Sequence, residues 1–333
     1  MNHVYVHGLG AVSPAGWNVP ALSGAIKNDV PLPTQDLPRP GWTKPLRIRA
    51  VPPPAARLTF SAHPRLRRAS VITQYVVGAA CEALGADVRR VQNGELRLGI
   101  IVCLMPGCVN YSRRFYEEVL RDPATASPLL FPETVFNAPA SHLAAYLNSA
   151  TANYTLVGDD GMFLQGVALA ADWLNHGRAD ACIVVGAEET DWIAADAMRL
   201  FRRDMIYSGG AGALYLKSSP DAAIKLAAIT DSFSFTQKQN RATAGHKMKA
   251  QLPVGVPDEL FCDSEIELPA GRSGTSHRLS PKTILGNAFI ASAGWQCVAA
   301  CDLIRQKQYA AANVAIVGVN QQAIGARFIG NNL

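Results

Sequence analysis

The chain has 333 residues, of which 49% are hydrophobic and 17% charged, and its 31 basic and 26 acidic residues leave a formal charge of +5. That length suits two fused α/β units, and the composition excludes a disordered or collagen-like chain. So small an excess of positive charge does not by itself point to nucleic acid.

In chain order, residues 3–12 are mostly apolar and lead into Gly8, Gly10, Pro14 and Gly16, which predicts a strand feeding a glycine turn. Eight prolines between Pro31 and Pro54 predict an irregular excursion rather than packed structure. Residues 66–84 carry helical periodicity through Ile72, Tyr75, Val76, Ala79, Ala80 and Ala83. A short buried-type strand follows at 97–103. Helices are expected at 110–121, with Tyr111, Phe115 and Val119 on one face, and at 138–148. Asn153 to Val157 reads as a strand, Gly158-Asp159-Asp160-Gly161 as a turn, and the next residues as a long helix to about residue 175. Further strands are expected at 181–186, 211–216, 224–229 and 313–319, with 286–305 largely helical. Strands alternating with helices predict an α/β protein with buried sheets. No short-period repeat or flexible linker appears, and the expected division lies near Ser218-Ser219-Pro220, giving units 1–219 and 220–333.

The seven cysteines are Cys81, Cys103, Cys108, Cys182, Cys262, Cys297 and Cys301. None has the spacing of a zinc or redox motif, so they read as buried free thiols in a reducing compartment. His3, His7, His63, His246 and His277 show no metal spacing either, and no metal site is expected. His142 is expected to satisfy core hydrogen bonds and His176 to cap a helix C-terminus. The N-terminus lacks a charged segment followed by an apolar one, and no apolar run is long enough for a bilayer. The expectation is a cytoplasmic protein without membrane or nucleic-acid partners. The glycines fit neither a dinucleotide fingerprint nor a phosphate loop, because Gly8-x-Gly10 lacks the third glycine and Gly209-Gly210-x-Gly212 precedes a strand.

The strand, turn and helix at 153–175 outline a nucleophile elbow. A residue at such a turn lies beside a helix N-terminus, where free N–H groups stabilise negative charge and would make a cysteine reactive. Here the turn holds two aspartates. Asp159 or Asp160 is expected to cap the helix.

The order and spacing of several segments resemble the β-ketoacyl-acyl-carrier-protein synthase family, the ketosynthases. They are Gly8-Leu9-Gly10-Ala11-Val12-Ser13-Pro14-Ala15-Gly16, Ser127 to Pro132, Asn137 to His142, Asn153-Tyr154-Thr155, Gly177-Arg178-Ala179-Asp180, Gly186-Ala187-Glu188-Glu189, Gly209 to Leu214, and Lys282 with Gly286 and Ala291 to Gly294. The resemblance implies a thiolase-like fold, with two similar βαβ-containing halves forming a five-layered α-β-α-β-α core. It also implies an active site of one cysteine and two histidines. By position, the cysteine falls on Asp160, and the histidine of Lys-x-x-x-Gly-His falls on Asn287. The other histidine should follow the strand near Glu259 to Cys262, where the chain reads Asp263-Ser264-Glu265. Of the four catalytic positions only Lys282 keeps the family residue, and with its partners gone it reads as a fold residue. Asn287 fills a histidine's space without acid–base ability.

A degenerate copy of this kind resembles a chain-length factor, a subunit that pairs with an active ketosynthase and completes its acyl tunnel. The family pairs through the strand at Asn153, Tyr154 and Thr155. By analogy Tyr111, Phe115, Tyr116, Phe131 and Phe136 would line the tunnel or the interface, the alternative being ordinary core and dimer packing. The implied partners are an active ketosynthase, or a second copy in a homodimer, and an acyl carrier protein. No cofactor is implied, since acyl groups would arrive on the carrier's phosphopantetheine arm. Between Asp36 and Glu82 there is no acidic residue, while Arg39, Lys44, Arg47, Arg49, Arg57, Arg65, Arg67 and Arg68 all fall there. Arg65, Arg67 and Arg68 could form a rim for an acidic carrier protein, or simply a solvated face.

Two departures from the family pattern bear on the pocket mouth. The C-terminal half is short near the lost histidine, and the closing segment reads Gly318-Val319-Asn320-Gln321-Gln322. Competing readings are a malonyl- or acyl-carrier-protein decarboxylase or acyl hydrolase using the degenerate site, and an acyl-binding homodimer. A buried Asp160 would repel a malonate carboxylate, which weighs against the first.

Overall fold

The computed structural model describes residues 4–200, 203–253, 259–263 and 277–331. Its frame is a strand pattern that occurs twice. The first set is β1 (Val4–Val12), β2 (Leu98–Leu104), β3 (Asn153–Val157), β4 (Ala181–Glu188) and β5 (Gly210–Lys217). The second is β6 (Ile224–Ile229), β7 (Glu259–Asp263), β8 (His277–Leu279), β9 (Ala311–Val317) and β10 (Gln322–Gly330). Their spatial orders are β1-β5-β4-β2-β3 and β6-β10-β9-β7-β8. Directions agree as well. The first two pairings in each set are antiparallel and the last two parallel. The sets join where Val4, Tyr5 and Val6 pair with Leu226, Lys225 and Ile224.

The helices are α1 (Val19–Asn28), α2 (Val71–Leu84), α3 (Val109–Arg121), α4 (Ala138–Tyr146), α5 (Met162–Asn175), α6 (Trp192–Met198), α7 (Arg241–Gln251), α8 (Pro281–Leu285) and α9 (Phe289–Arg305). Helices α2 and α4 cover the outer face of the first strand set, and α7 covers the second. Between the sets lie α5 and α9, and α9 packs on strands of both. The result is the five-layered α-β-α-β-α arrangement of a thiolase-like fold.

The sequence explains the layers. β2 (LGIIVCL) and β4 (ACIVVGAE) are apolar without alternation and buried throughout, as strands covered on both faces should be. Helix α9 is buried nearly all round, as a central-layer helix must be. Its Trp295 indole N–H lies 3.0 Å from both the Val12 and Ala211 carbonyl oxygens, tying α9 to β1 and β5. The crossing of α9 over β5 is backbone on backbone. A Cβ on Gly294 would stand 2.9 Å from Gly212 Cα, so both positions need glycine.

Several sequence expectations need correction. The proline-rich stretch is partly packed: Gln35–Leu37 and Leu46–Arg49 form a small sheet with Tyr207–Ser208, and Leu46 and Ile48 are buried. Prolines flank these strands rather than interrupt them, so the ladder keeps its donors. Helix α2 begins at Val71 because Ser70 caps it by accepting from Thr73 N–H. Helix α9 begins at Phe289 rather than Gly286, whose φ is +87°. The chain does not close on the 311–317 strand. β10 follows it through the turn at Gly318 and lies between β9 and β6.

Candidate functional site

The elbow forms where β3 ends at Val157 and α5 begins at Met162. Gly158 N–H donates to the Leu104 carbonyl at 3.1 Å, which closes the strand end onto β2. The next two residues are aspartates, and both are fully buried.

The Asp160 carboxylate faces α8. Lys282 Nζ donates to its Oδ2 at 2.5 Å, with both side chains out of solvent. The other carboxylate oxygen, Oδ1, is buried and has no hydrogen-bond partner among the described residues. Neither oxygen caps α5, whose N-terminus receives no side-chain cap bond from the described residues. The expected capping role of Asp160 is therefore corrected: the ammonium of Lys282 outcompetes the helix N–H groups, because a full charge in a dry site attracts a carboxylate more strongly than a partial one.

Asp159 does the local work. Its Oδ1 accepts from Gly161 N–H at 3.2 Å, and its Oδ2 accepts from Gln321 N–H at 2.8 Å, with Gln322 and Asn320 N–H at 3.3 and 3.4 Å. The Gln321 side-chain oxygen in turn accepts from Asp159 N–H at 3.1 Å. A Cβ on Gly318 would stand 1.9 Å from Asp159 Oδ2, so the turn between β9 and β10 can approach only as glycine. Arg241 of α7 holds the same turn from outside, donating to the Gly318 and Val317 carbonyls at 3.0 and 3.2 Å. Burial raises the Asp159 carboxyl above its usual range and the Asp160 charge adds to this, while the Gln321, Gln322 and Gly161 amides pull the other way.

Two more carboxylates converge at the end of β4. Glu188 Oε1 accepts from Met105 N–H at 2.8 Å, while Oε2 is buried without a partner among the described residues. Burial drives Glu188 well above the usual carboxylate range, and the charges of Asp160 and Glu189 push it further. Glu189 accepts from Asn110 N–H at 2.7 Å and Ile72 N–H at 3.2 Å, so one carboxylate serves the first turns of α3 and α2. Burial still lifts its pKa to about 7. Sequence reading saw Glu188 and Glu189 only as part of a family segment. Two acids at the end of a fully apolar strand were the available signal.

Asn287, where the sequence resemblance sets a histidine, is committed to backbone. Its Oδ1 accepts from Phe289 N–H at 2.9 Å, and its Nδ2 lies 2.8 Å from Met205 Sδ. Its main chain bonds Ile206 and Ser208, at 2.8 and 3.0 Å. Ser264 and Glu265, in the segment where the other histidine was sought, lie outside the described residues. His142 is half-buried and bonds Glu133 at 2.7 Å. His176 is the C-cap of α5, as expected. Among the described residues no group of three or more potential ligands could hold a metal, and no helix is long and apolar enough to cross a membrane. The cysteines are free thiols, all buried except the half-buried Cys81.

The bulky side chains expected near an interface are not core. Tyr116, Phe131 and Phe136 are exposed, while Tyr111 and Phe115 are half-buried. Phe115 and Phe131 pack with ring centroids 5.6 Å apart, and Tyr111 donates to the Arg68 carbonyl at 2.8 Å. β3 is an edge strand. Tyr154 and Val157 on it are exposed, as is Asn153, and the Thr155 hydroxyl is buried without a partner among the described residues. Leu120 and Leu129, also exposed, add to the uncovered apolar surface of this region of the chain. Of the arginine stretch, Arg39 pairs with Asp196 at 2.6 Å, Arg47 with Asp36 at 3.2 Å, and Arg49 donates to the Leu32 carbonyl. These three are structural. Arg65, Arg67 and Arg68 are exposed.

No protein-family model and no curated protein matches the chain. Solved structures do. A type II polyketide acyl-carrier protein in complex with its ketosynthase (AntDE:AntF) contains a chain with a TM-score of 0.80 at 16% identity, over 99% of each chain. The chain has the ketosynthase fold. The ishigamide ketosynthase/chain length factor matches at TM-score 0.77 and 16% identity, over 98% of this chain and 99% of that one. The ketosynthase ApeO in complex with its chain length factor ApeC, from Xenorhabdus doucetiae, matches at 0.75 and 14%, over 99% and 98%. Asp160, the residue on which the sequence resemblance sets the cysteine, is a buried, ion-paired carboxylate. Among the described residues neither an imidazole nor a thiol stands among its hydrogen-bond partners.

Proposed function

We propose that the chain is a non-catalytic, chain-length-factor-like subunit that pairs with an active ketosynthase and shapes its acyl tunnel. The observation that carries this reading is the Asp160–Lys282 pair. A condensing enzyme needs a thiolate here and hydrogen-bond donors for the thioester oxygen. This site instead offers a buried carboxylate neutralised by the one retained family cation. The pair also argues against a decarboxylase or hydrolase, because Asp160 is fully buried and its charge is already matched.

The partner reading has separate support. An edge strand with exposed Tyr154 and Val157 presents unpaired backbone groups and apolar area, which a soluble protein normally covers. Pairing across β3 would bury both, and would bring Tyr116, Phe131 and Phe136 against the other subunit. Two of the neighbours are themselves ketosynthase and chain length factor assemblies. The acyl carrier protein would dock through Arg65, Arg67 and Arg68, with acyl groups carried on its phosphopantetheine arm. The test is a condensation assay. The chain alone should give no product, and the reconstituted pair should keep its activity when Asp160 is changed to Leu and Lys282 to Met together, a double change that leaves no buried charge unpaired. Product formed by the chain alone would overturn the reading.

A further inference from the structure

The start of α3 is bonded to two surfaces that lie on either side of it. On one side is the loop before α4, which carries the exposed Phe131 and Phe136. Ser112 Oγ donates to the Thr134 carbonyl at 3.2 Å, and the Cys108 thiol donates to the Val135 carbonyl at 3.7 Å. The Phe136 ring packs on Gly107, where φ is +70° and a Cβ would stand 2.7 Å from the ring. On the other side is the segment of Arg65, Arg67 and Arg68 that leads into α2. Tyr111 Oη donates to the Arg68 carbonyl at 2.8 Å. The hydroxyl of Ser70, the N-cap of α2, lies 3.9 Å from Cys108 Sγ. Glu189 clamps the two helix starts to each other, through Asn110 N–H of α3 and Ile72 N–H of α2.

These ties matter because core packing does not hold α3. None of its 13 residues is buried. Past the first turn it is held by the Arg113–Asp191 pair at 2.9 Å and by Phe115 against Phe131. An element with so few buried contacts belongs to the low-stability end of a fold, and it gains order when its neighbours are covered. Covering Phe131 and Phe136 would fix the loop at 131–136. The loop would fix residues 107–112, and these would fix the backbone at Arg68. A surface ordered beforehand costs less to bind.

We propose that the start of α3 couples ketosynthase pairing to carrier-protein docking, with Tyr111 as the positioning residue that carries the order to Arg68. The coupling rests on the partner reading above and adds a property to it. The two partners bind with positive cooperativity, and by linkage each tightens the other.

The experiment is hydrogen exchange of the full chain, alone and in complex with the ketosynthase encoded nearest to it, with complex formation read separately by native mass spectrometry. Pairing should raise protection at the Leu66, Ala69 and Ile72 amides, whose acceptors are the His63 and Leu66 carbonyls and Glu189. Tyr111→Phe keeps the ring and removes only the hydroxyl, and in its complex that rise should be absent. Ser112→Ala, which cuts the bond to Thr134 on the other side, should reduce the rise and carries the test if the phenylalanine variant does not fold or pair. In the complex, Tyr111→Phe should also weaken binding of the holo-acyl carrier protein encoded with that ketosynthase by about fivefold. It should add nothing once Arg65, Arg67 and Arg68 are glutamates, a dependence that a merely structural tyrosine would not show. A heterodimer without added protection at 66–72, a rise that survives both variants, or a carrier affinity unchanged by Tyr111→Phe would overturn the coupling and leave the partner reading standing. Absence of any heterodimer would overturn both.

Discussion

Lys282 Nζ lies 2.5 Å from Asp160 Oδ2, deep in the protein, at the turn between β3 and α5. Taking both charges out of water is costly, and their attraction roughly offsets that cost. Removing one partner strands the other. Lys282→Met and Asp160→Ala should each destabilise the chain by about 3–5 kcal/mol in urea unfolding. The double variant Asp160→Leu with Lys282→Met should recover most of the loss. A double variant as unstable as the sum of the singles would mean that the pair is not coupled.

Asp159 ties the elbow to the turn at 318–322. In Asp159→Ala the amides of Asn320, Gln321 and Gln322 lose their shared acceptor, at about 1–3 kcal/mol for a buried group left unsatisfied. Hydrogen exchange should show these three amides losing protection while β2 and β4 keep theirs. Unchanged protection at 320–322 would show that Arg241 alone suffices to hold the turn.

The Glu189 carboxyl, mainly through burial, titrates at about 7 in the folded chain against 4.5 when unperturbed. The folded state therefore binds the proton more tightly. The stability this confers is complete below about pH 4.5 and is lost as pH rises to about 7, by roughly 3 kcal/mol at 1.36 kcal/mol per unit. Glu189→Gln should flatten that slope in unfolding measured from pH 4.5 to 8. A slope equally steep in the variant would assign it to another group.

The edge strand β3 is predicted to pair with another chain. A charge placed on an edge blocks such pairing. Tyr154→Asp with Val157→Asp should leave a folded monomer in light scattering, since both side chains are already exposed. An unchanged oligomer would locate the interface elsewhere.

Reversal of Arg65, Arg67 and Arg68 to glutamate should weaken carrier-protein binding, and the wild-type affinity should fall with added salt. These three are exposed, so the fold should tolerate the change. Unaltered affinity would remove this rim from the docking surface.

Much of the fold was legible because its signals are local. The runs in β2 and β4, the periodicity of α2, and the strand–turn–helix at 153–175 all depend on neighbouring residues. What escaped depends on distant ones. Leu46 and Ile48 pack only because Tyr207 arrives beside them, and β10 is a strand only because β9 and β6 flank it. At the site, the sequence singled out Asp160, Asn287 and Lys282 but could not join the first to the third across 122 positions. Capping is the local expectation for an aspartate at a helix start, and a lysine brought in by another element overrode it. Asp159 was likewise read as a cap, when most of its bonds go to the turn at 318–322.

The central claim is that this chain serves as a partner subunit. The most direct measurement is native mass spectrometry of the chain co-expressed with the ketosynthase encoded nearest to it. A one-to-one heterodimer is predicted, and it should be lost when Tyr154 and Val157 are both changed to aspartate. A homodimer that leaves the ketosynthase unbound would contradict the account.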